Sequence, residues 1–242
     1  SVTGVQTCAL PIWDWTGAEK SLEQAVQLDP RSAKAHHWLG VLKSIKGETR
    51  LAIGEMRRAV ELEPTSPVYH ADLGQLYYFQ GERDAAITEC KRALELDPEH
   101  VLGPLYLRDI YFASGDDEAA WSYERTHLEK FRLYSPETLA RLDGVVEADG
   151  LKAYYRETAE RLESDLARSD GPVEQRMTTA WTIAETYARL RDHNLTLEWL
   201  EKALAADRRT RPLKIAYIGV DPQFTFLKRD PRFSAVLGQM GL

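Results

Sequence analysis

Hydrophobic and small residues recur along this chain at two intervals. Within residues 31–64 and 67–98, apolar side chains return every three to four positions, which is typical of helices that bury one face. The two segments also repeat each other thirty-four residues apart, as RSAKAHHWLGVLKSIKGETRLAIGEMRRAVELEP and TSPVYHADLGQLYYFQGERDAAITECKRALELDP. The combined pattern predicts tandem pairs of amphipathic helices, in which each pair buries its apolar face against the next.

Small residues hold equivalent places in the two copies. Gly40 and Gly74 fall where the two helices of a pair are expected to cross, because small side chains let the helix axes approach closely. Gly47 and Gly81 fall where each first helix must stop, since glycine tolerates the left-handed conformation that ends a helix. A proline closes each second helix, because it disfavours helix in the residue before it.

This arrangement resembles the tetratricopeptide repeat (TPR). The residues that carry the resemblance recur at one interval: Leu39-Gly40, Gly47, Ala52, Ala59 and Pro64, then Leu73-Gly74, Gly81, Ala86, Ala93 and Pro98. The resemblance implies an all-α fold, a right-handed α–α superhelix in which antiparallel helix pairs stack as a TPR solenoid.

The repeat register predicts a linear domain organisation. Residues 13–132 are expected to form a TPR array of one orphan second helix and three repeats, followed by a degenerate helical pair at 133–170. A final TPR-like pair is expected at 171–210, after the linker Ser169-Asp170-Gly171-Pro172. Residues 211–242 are expected to form capping helices, because a solenoid needs a terminal cap for solubility.

The first residues do not fit this organisation. Residues 2–12, VTGVQTCALPI, match the conceptual translation of a sequencing-adapter oligonucleotide read in frame. We therefore expect residues 1–12 to be an artefactual, disordered leader, and the chain to be a metagenomic fragment whose gene was truncated upstream.

The C-terminal part sharpens the resemblance. The pairing of LEWLEKALAADRR with VDPQFTFLKRDPRFSAVLGQMGL resembles the end of the TPR region in multidomain bacterial signalling proteins. In those proteins the repeats follow a winged-helix transcriptional regulator, a serine/threonine kinase or a nucleotide cyclase domain. The resemblance implies a sensing or partner-binding role, and no motif of such an effector domain occurs in this sequence.

Composition narrows the function classes. The net charge of −7, from 31 basic and 38 acidic residues, argues against a non-specific nucleic-acid surface. No segment approaches the roughly 18 apolar residues of a membrane span, so a soluble protein is expected, whether cytoplasmic or periplasmic. Cys8 and Cys90 imply no disulfide framework. We expect no cofactor, and the sequence leaves the oligomeric state open.

The first helices of the repeats are expected to line the concave face of the stack. This set is mainly apolar and aromatic, which favours a groove for a peptide segment with aromatic anchors. An alternative is that half of these side chains pack against the adjacent helix. The basic pattern that clamps a C-terminal carboxylate is missing, because Ala71 and Leu105 stand where a cation is needed. The predicted groove residues are Lys34, His37, Val41, Gln75, Tyr78, Phe79, Leu102, Leu105, Asp109 and Phe112.

Other candidate sites have simpler explanations. Adjacent residues of a helix point about 100° apart, so His36 and His37 cannot easily share one metal ion, and His70 one period later suggests a repeated packing position. Asp116-Asp117 lies at a helix start, where carboxylates favour the helix dipole. We predict neither a metal site nor a catalytic acid–base pair.

The sequence thus favours a non-catalytic module that binds a protein or peptide. The alternative is an enzyme whose site lies in the irregular segment 135–168, on a helix that carries Tyr154, Tyr155, Arg156, Glu157 and Glu160. Mixed charges at helical spacing are more typical of a solvated helix face. A scaffold that bridges several proteins would differ from the first hypothesis only in the number of partners.

Overall fold

The protein is built from helices throughout the residues that can be placed. A computed structural model describes residues 14–205 and 213–242, and within these ranges it contains no strand. The expected leader, Cys8 and Trp13 lie outside the described residues. The α-helices are α1 (Trp15–Leu28), α2 (Ala33–Ile45), α3 (Thr49–Leu62), α4 (Pro67–Gln80), α5 (Arg83–Leu96), α6 (Leu102–Ala113), α7 (Asp117–Lys130), α8 (Pro136–Asp149), α9 (Leu151–Arg168), α10 (Val173–Leu190), α11 (His193–Leu204) and α12 (Pro231–Met240). Two 3₁₀-helices, Leu213–Tyr217 and Pro222–Leu227, precede α12.

The helices pack in sequence order within two compact units, Thr16–Gly144 and Val145–Leu242. In the first unit α2 pairs with α3, α4 with α5 and α6 with α7, and each pair contacts the next. In the second unit α10 packs against both α9 and α11. The predicted all-α architecture of stacked helix pairs is therefore confirmed.

The small residues lie at the helix crossings, as the register predicts. A Cβ atom added to Gly74 would lie 3.0 Å from the carbonyl oxygen of Ala86 and 3.1 Å from the amide nitrogen of Cys90. A Cβ atom on Gly40 would lie 3.1 Å from the carbonyl oxygen of Ala52. The backbones of paired helices thus approach so closely that no side chain fits between them.

Each first helix of the best repeats ends as predicted. Gly47 and Gly81 adopt φ angles of 79° and 85°, in the left-handed region that glycine enters without a steric penalty. In the last pair Arg191 stands at this place and adopts φ 60°, so the turn keeps its geometry without glycine. Ser32 and Ser66 begin α2 and α4, since each hydroxyl accepts a hydrogen bond from the amide three residues on.

The crossing in the pair α6–α7 is built differently. Arg108 takes the place of the crossing glycine and donates a hydrogen bond of 2.7 Å to Glu124 on α7. Glu124 is 7% exposed. A buried ion pair therefore stands where the preceding repeats have backbone contact.

The C-terminal segment packs onto the last helix pair of its unit. Asp221 and Asp230 cap the helical segments that follow them, since each carboxylate accepts a hydrogen bond from the amide two residues on. The segment Pro222–Leu227 contacts α10, and α12 contacts α11. Its buried side chains are Phe224, Leu227, Phe233, Val236 and Met240. Across the described ranges, no helix combines the length and apolar character needed to cross a membrane.

Candidate functional site

The first helices α2, α4 and α6 form a surface that we call the first-helix face. Contacts between α4 and α6 and a hydrogen bond from α2 to α4 join the three helices. Lys34 on this face is exposed, whereas His37 and Val41 are each 5% exposed and lie within the helix packing. The half-buried members of the predicted groove are Gln75, Tyr78, Phe79, Leu102, Leu105, Asp109 and Phe112.

A polar network that the sequence did not reveal crosses this face. Asp72 on α4 accepts a hydrogen bond of 2.7 Å from His37 Nε2 on α2 and one of 3.4 Å from the hydroxyl of Tyr106 on α6. The His37 ring also lies 4.8 Å from that of Tyr69. Tyr106 directly follows Leu105, a predicted groove residue, and Asp72 lies one period earlier than Tyr106; the sequence analysis included neither. The network sets the spacing of three successive first helices.

Aromatic rings give the face its apolar character. Tyr78 and Phe79 lie at the end of α4 with ring centroids 5.9 Å apart, and Phe112 lies at the corresponding end of α6. Asp109, by contrast, is held by Arg108, whose Nε donates a hydrogen bond of 2.9 Å to Oδ1. The face can therefore offer half-buried rings to an apolar side chain.

His36 and His70 hold equivalent positions in two repeats, and each ring connects separate segments of the chain. His36 Nδ1 lies 2.6 Å from a carboxylate oxygen of Glu55, and Nε2 lies 3.1 Å from the carbonyl oxygen of Pro30. His70 repeats this geometry one period later with Glu89 and the carbonyl of Pro64. Each imidazole therefore joins the first helix of its repeat to the second helix and to the end of the preceding repeat. The predicted repeated packing position is confirmed.

Metal ligation has no support in the part of the chain that the structure describes. There, no three His, Cys, Asp or Glu side chains come together as a metal ion would require. Cys90 is fully buried beside Gly74, and burial raises the pKa of its thiol far above the ordinary range. Asp116 caps α7 by accepting a hydrogen bond from the amide of Ala119, so its carboxylate has a structural role.

The irregular segment does not assemble the residues proposed for an enzyme site. Tyr154 and Tyr155 are each 2% exposed and belong to the core of their unit. Glu157 is half-buried, whereas Arg156 and Glu160 are exposed. The five side chains are therefore split between the core and the solvent.

Comparisons with known proteins place these features in context. The tetratricopeptide repeat model matches residues 67–100, which contain α4 and α5. No curated protein matches the sequence.

Several solved structures are similar to this chain. An O-GlcNAc transferase mutant of Thermobaculum terrenum matches with 25% identity and a TM-score of 0.47, over 53% of this chain and 26% of that chain. MamA matches with 17% identity and a TM-score of 0.45, over 79% and 87% of the two chains. YrrB, described as a TPR protein with an unusual peptide-binding site, matches with 16% identity and a TM-score of 0.43, over 77% and 92%. This chain thus spans about a quarter of the transferase's length.

The packing of the matched residues agrees with the repeat model. Gly74 and Ala86 bring α4 and α5 into backbone contact, and Gly81 turns the chain between them. The pair α2–α3 packs in the same way one period earlier. Residues 67–100 of this chain are a tetratricopeptide repeat.

Proposed function

We propose that this chain is a non-catalytic module that binds a protein or peptide segment on the first-helix face. The observation that carries the proposal is the group of half-buried rings at the ends of α4 and α6, Tyr78, Phe79 and Phe112. Aromatic side chains in partly desolvated positions dominate binding energy at interfaces, because they bury a large area at a small cost in conformational entropy.

The rest of the face supports this role. Gln75, Leu102 and Leu105 are half-buried and supply polar and apolar contacts beside the rings, while Lys34 offers an exposed cation. The network of His37, Asp72 and Tyr106 favours binding because it holds the helices before a partner arrives, which lowers the ordering cost of association.

We further propose that the module is the sensing or partner-binding part of a bacterial signalling or transcriptional regulator. The similarity of the C-terminal sequence to TPR regions in such proteins supports this setting. A scaffold for several partners would use the same face. The enzyme alternative receives no support, because Tyr154 and Tyr155 are buried.

Peptide display tests the proposal. A random peptide library is selected against the purified full chain, and the affinity of each selected peptide is measured by fluorescence polarisation. We expect Tyr78→Ala and Phe112→Ala each to weaken binding at least tenfold, as is usual for aromatic anchors. Lys34→Glu, at an exposed position, should weaken the binding of acidic peptides without affecting the fold.

Leu51→Ala provides the matched control. Leu51 lies on the second helix α3 of the same unit and is 57% exposed, so its removal should leave affinity unchanged. Peptides that bind equally well to the three face variants and lose affinity with Leu51→Ala would refute the assignment of the face.

A further inference from the structure

A second concave site lies away from the half-buried rings of the first-helix face. It is a cavity of about 350 Å³ between the connection from α5 to α6 and the outer helix α7. Its volume falls at the lower end of the range for small-molecule sites. The side chains that line it are Leu94, Pro98, His100, Val101, Pro104, Ser122, Tyr123, Thr126, His127, Lys130 and Phe131.

The start of α6 places an unusual residue in this cavity. Ser32 and Ser66 cap the first helices of the two preceding repeats, and His100 takes the same place one period later. The Nδ1 atom of His100 accepts a hydrogen bond of 3.2 Å from the amide of Gly103. Because Nδ1 accepts, a neutral ring carries its proton on Nε2. Burial lowers the pKa of His100 and favours this neutral form; the carboxylates of Asp72 and Asp97 oppose the shift, and the Lys130 ammonium adds to it.

The Nε2–H group of His100 can donate a hydrogen bond to a ligand. The residue is 9% exposed, and within the described residues Nε2 has no hydrogen-bond partner. His100 lines the cavity, and its Nε2 atom keeps some contact with solvent. A ligand carboxylate could take the place of solvent at this donor, and its charge would strengthen the hydrogen bond.

Lys130 supplies a second donor at the same cavity. Its Nζ donates to the carbonyl oxygen of Pro98 at 3.2 Å and pairs with Glu99 at 3.0 Å. The Glu99 side chain is 82% exposed, so its ion pair contributes little and another carboxylate can replace it. The Lys130 ammonium group therefore already pairs with one carboxylate, that of the exposed Glu99.

Apolar side chains form most of the remaining wall, beside Ser122, Thr126 and His127. Leu94, Pro104 and Tyr123 line the cavity, and Val101 and Phe131 are each 41% exposed beside it. Such exposed apolar side chains around two donors suit a ligand with an apolar body and an acceptor at one end.

We propose that this cavity binds an apolar group that ends in a carboxylate. The body packs against Leu94, Val101 and Phe131, while the carboxylate accepts hydrogen bonds from His100 Nε2–H and Lys130 Nζ. The shared chemistry fits both a free organic acid and the C-terminal residue of a peptide. The site does not rest on the proposed function, because Tyr78, Phe79 and Phe112, the rings that carry that function, do not line it.

Nuclear magnetic resonance titration of the full chain tests the proposal. The probes are 3-phenylpropionate as a free acid and N-acetylglycyl-phenylalanine as a chain end, each with its amide as a control. We expect saturable shifts of the His100 ring signals with at least one acid, and at least tenfold weaker binding of the matching amide, since a charged hydrogen bond is lost. The acid that binds more tightly shows whether the natural ligand is a free organic acid or the C-terminal residue of a peptide. No saturable shift with either acid, or equal binding of the amides, would overturn the proposal.

Substitutions separate the donor from the helix cap. His100→Ser restores the capping residue of the other repeats but removes the Nε2 donor, so the fold should persist while affinity for the acid falls about tenfold. Glu99→Gln should tighten binding about twofold by freeing Lys130. Lys91→Met on the exposed face of α5 is the control and should change nothing. Wild-type affinity in His100→Ser would refute the role of His100.

Discussion

Replacing Gly74 with alanine tests the close contact on which the repeats depend. The added Cβ atom would lie 2.5 Å from Cys90 Sγ, besides its two short contacts with the backbone of α5. Cys90 is fully buried, so its sulfur cannot swing into solvent, and α4 must move away from α5. Overpacking of this kind costs about 1–3 kcal/mol, whereas alanine in a helix interior gains about 0.5–1 kcal/mol over glycine. We expect a net loss of about 1–2 kcal/mol in the free energy of unfolding.

Gly54→Ala isolates the packing contribution. Gly54 lies in the interior of α3, and a Cβ atom there would meet nothing within 4 Å. Its substitution should therefore stabilise the chain by about 0.5–1 kcal/mol through helix propensity alone. The difference between the two variants gives the packing cost directly, because the propensity gain is common to both.

Urea denaturation followed by circular dichroism measures this difference. At a slope of about 1–3 kcal/mol per molar urea, the two variants should differ in midpoint by roughly 1 M. Equal midpoints for Gly74→Ala and Gly54→Ala would show that α4 and α5 do not meet closely at Gly74, so that small residues would not explain the packing of the pair.

Three further predictions concern pH, reactivity and backbone strain. Hydrogen bonds from Lys43, then Lys46, lower the pKa of Glu19. The stability that this carboxylate contributes is therefore complete above the ordinary glutamate pKa and is lost as pH falls through the lowered pKa. Glu19→Gln should cost about 1 kcal/mol in urea melts at pH 7 and less at pH 3, and an equal cost at both pH values would contradict this. In a Cys8→Ser background, burial of the Cys90 thiol should prevent its reaction with a chromogenic disulfide at pH 8 until urea unfolds the chain, whereas rapid reaction of the folded protein would show that the site opens. Arg132 holds φ at 50°, so Arg132→Gly should raise the free energy of unfolding by about 0.5 kcal/mol in thermal melts, whereas Arg132→Lys should leave it unchanged.

Local signals predicted the helix boundaries well because they act within one turn of the chain. Ser135 accepts a hydrogen bond from the amide of Thr138 at the start of α8, and Gly150 separates α8 from α9 with φ 79°. The linker at 169–172 likewise falls between α9 and α10. Caps and left-handed turns need only the residues beside them, so the sequence contains the full cause.

The candidate site was predicted less completely. The helical period indicated which side of each first helix faces inward, but it did not distinguish residues that line a surface from residues that pack beneath it. His37 lies beneath the surface because Asp72, thirty-five positions later, accepts its hydrogen bond. The role of His100 could have been anticipated from its place one period after Ser66, since an imidazole there can cap a helix and still keep a second donor.

By itself, the sequence determined the helical pairs, their order and the close contacts between them, because each depends on small, capping or turn residues at a constant interval. Only the tertiary structure decided which polar groups meet. Residues on different helices meet in the hydrogen-bonded pairs His36–Glu55, His70–Glu89 and His37–Asp72. They also meet around the cavity that His100 and Lys130 line. Their partners depend on the rotation and offset of one helix against another, and side-chain packing settles these over distances that no local pattern records.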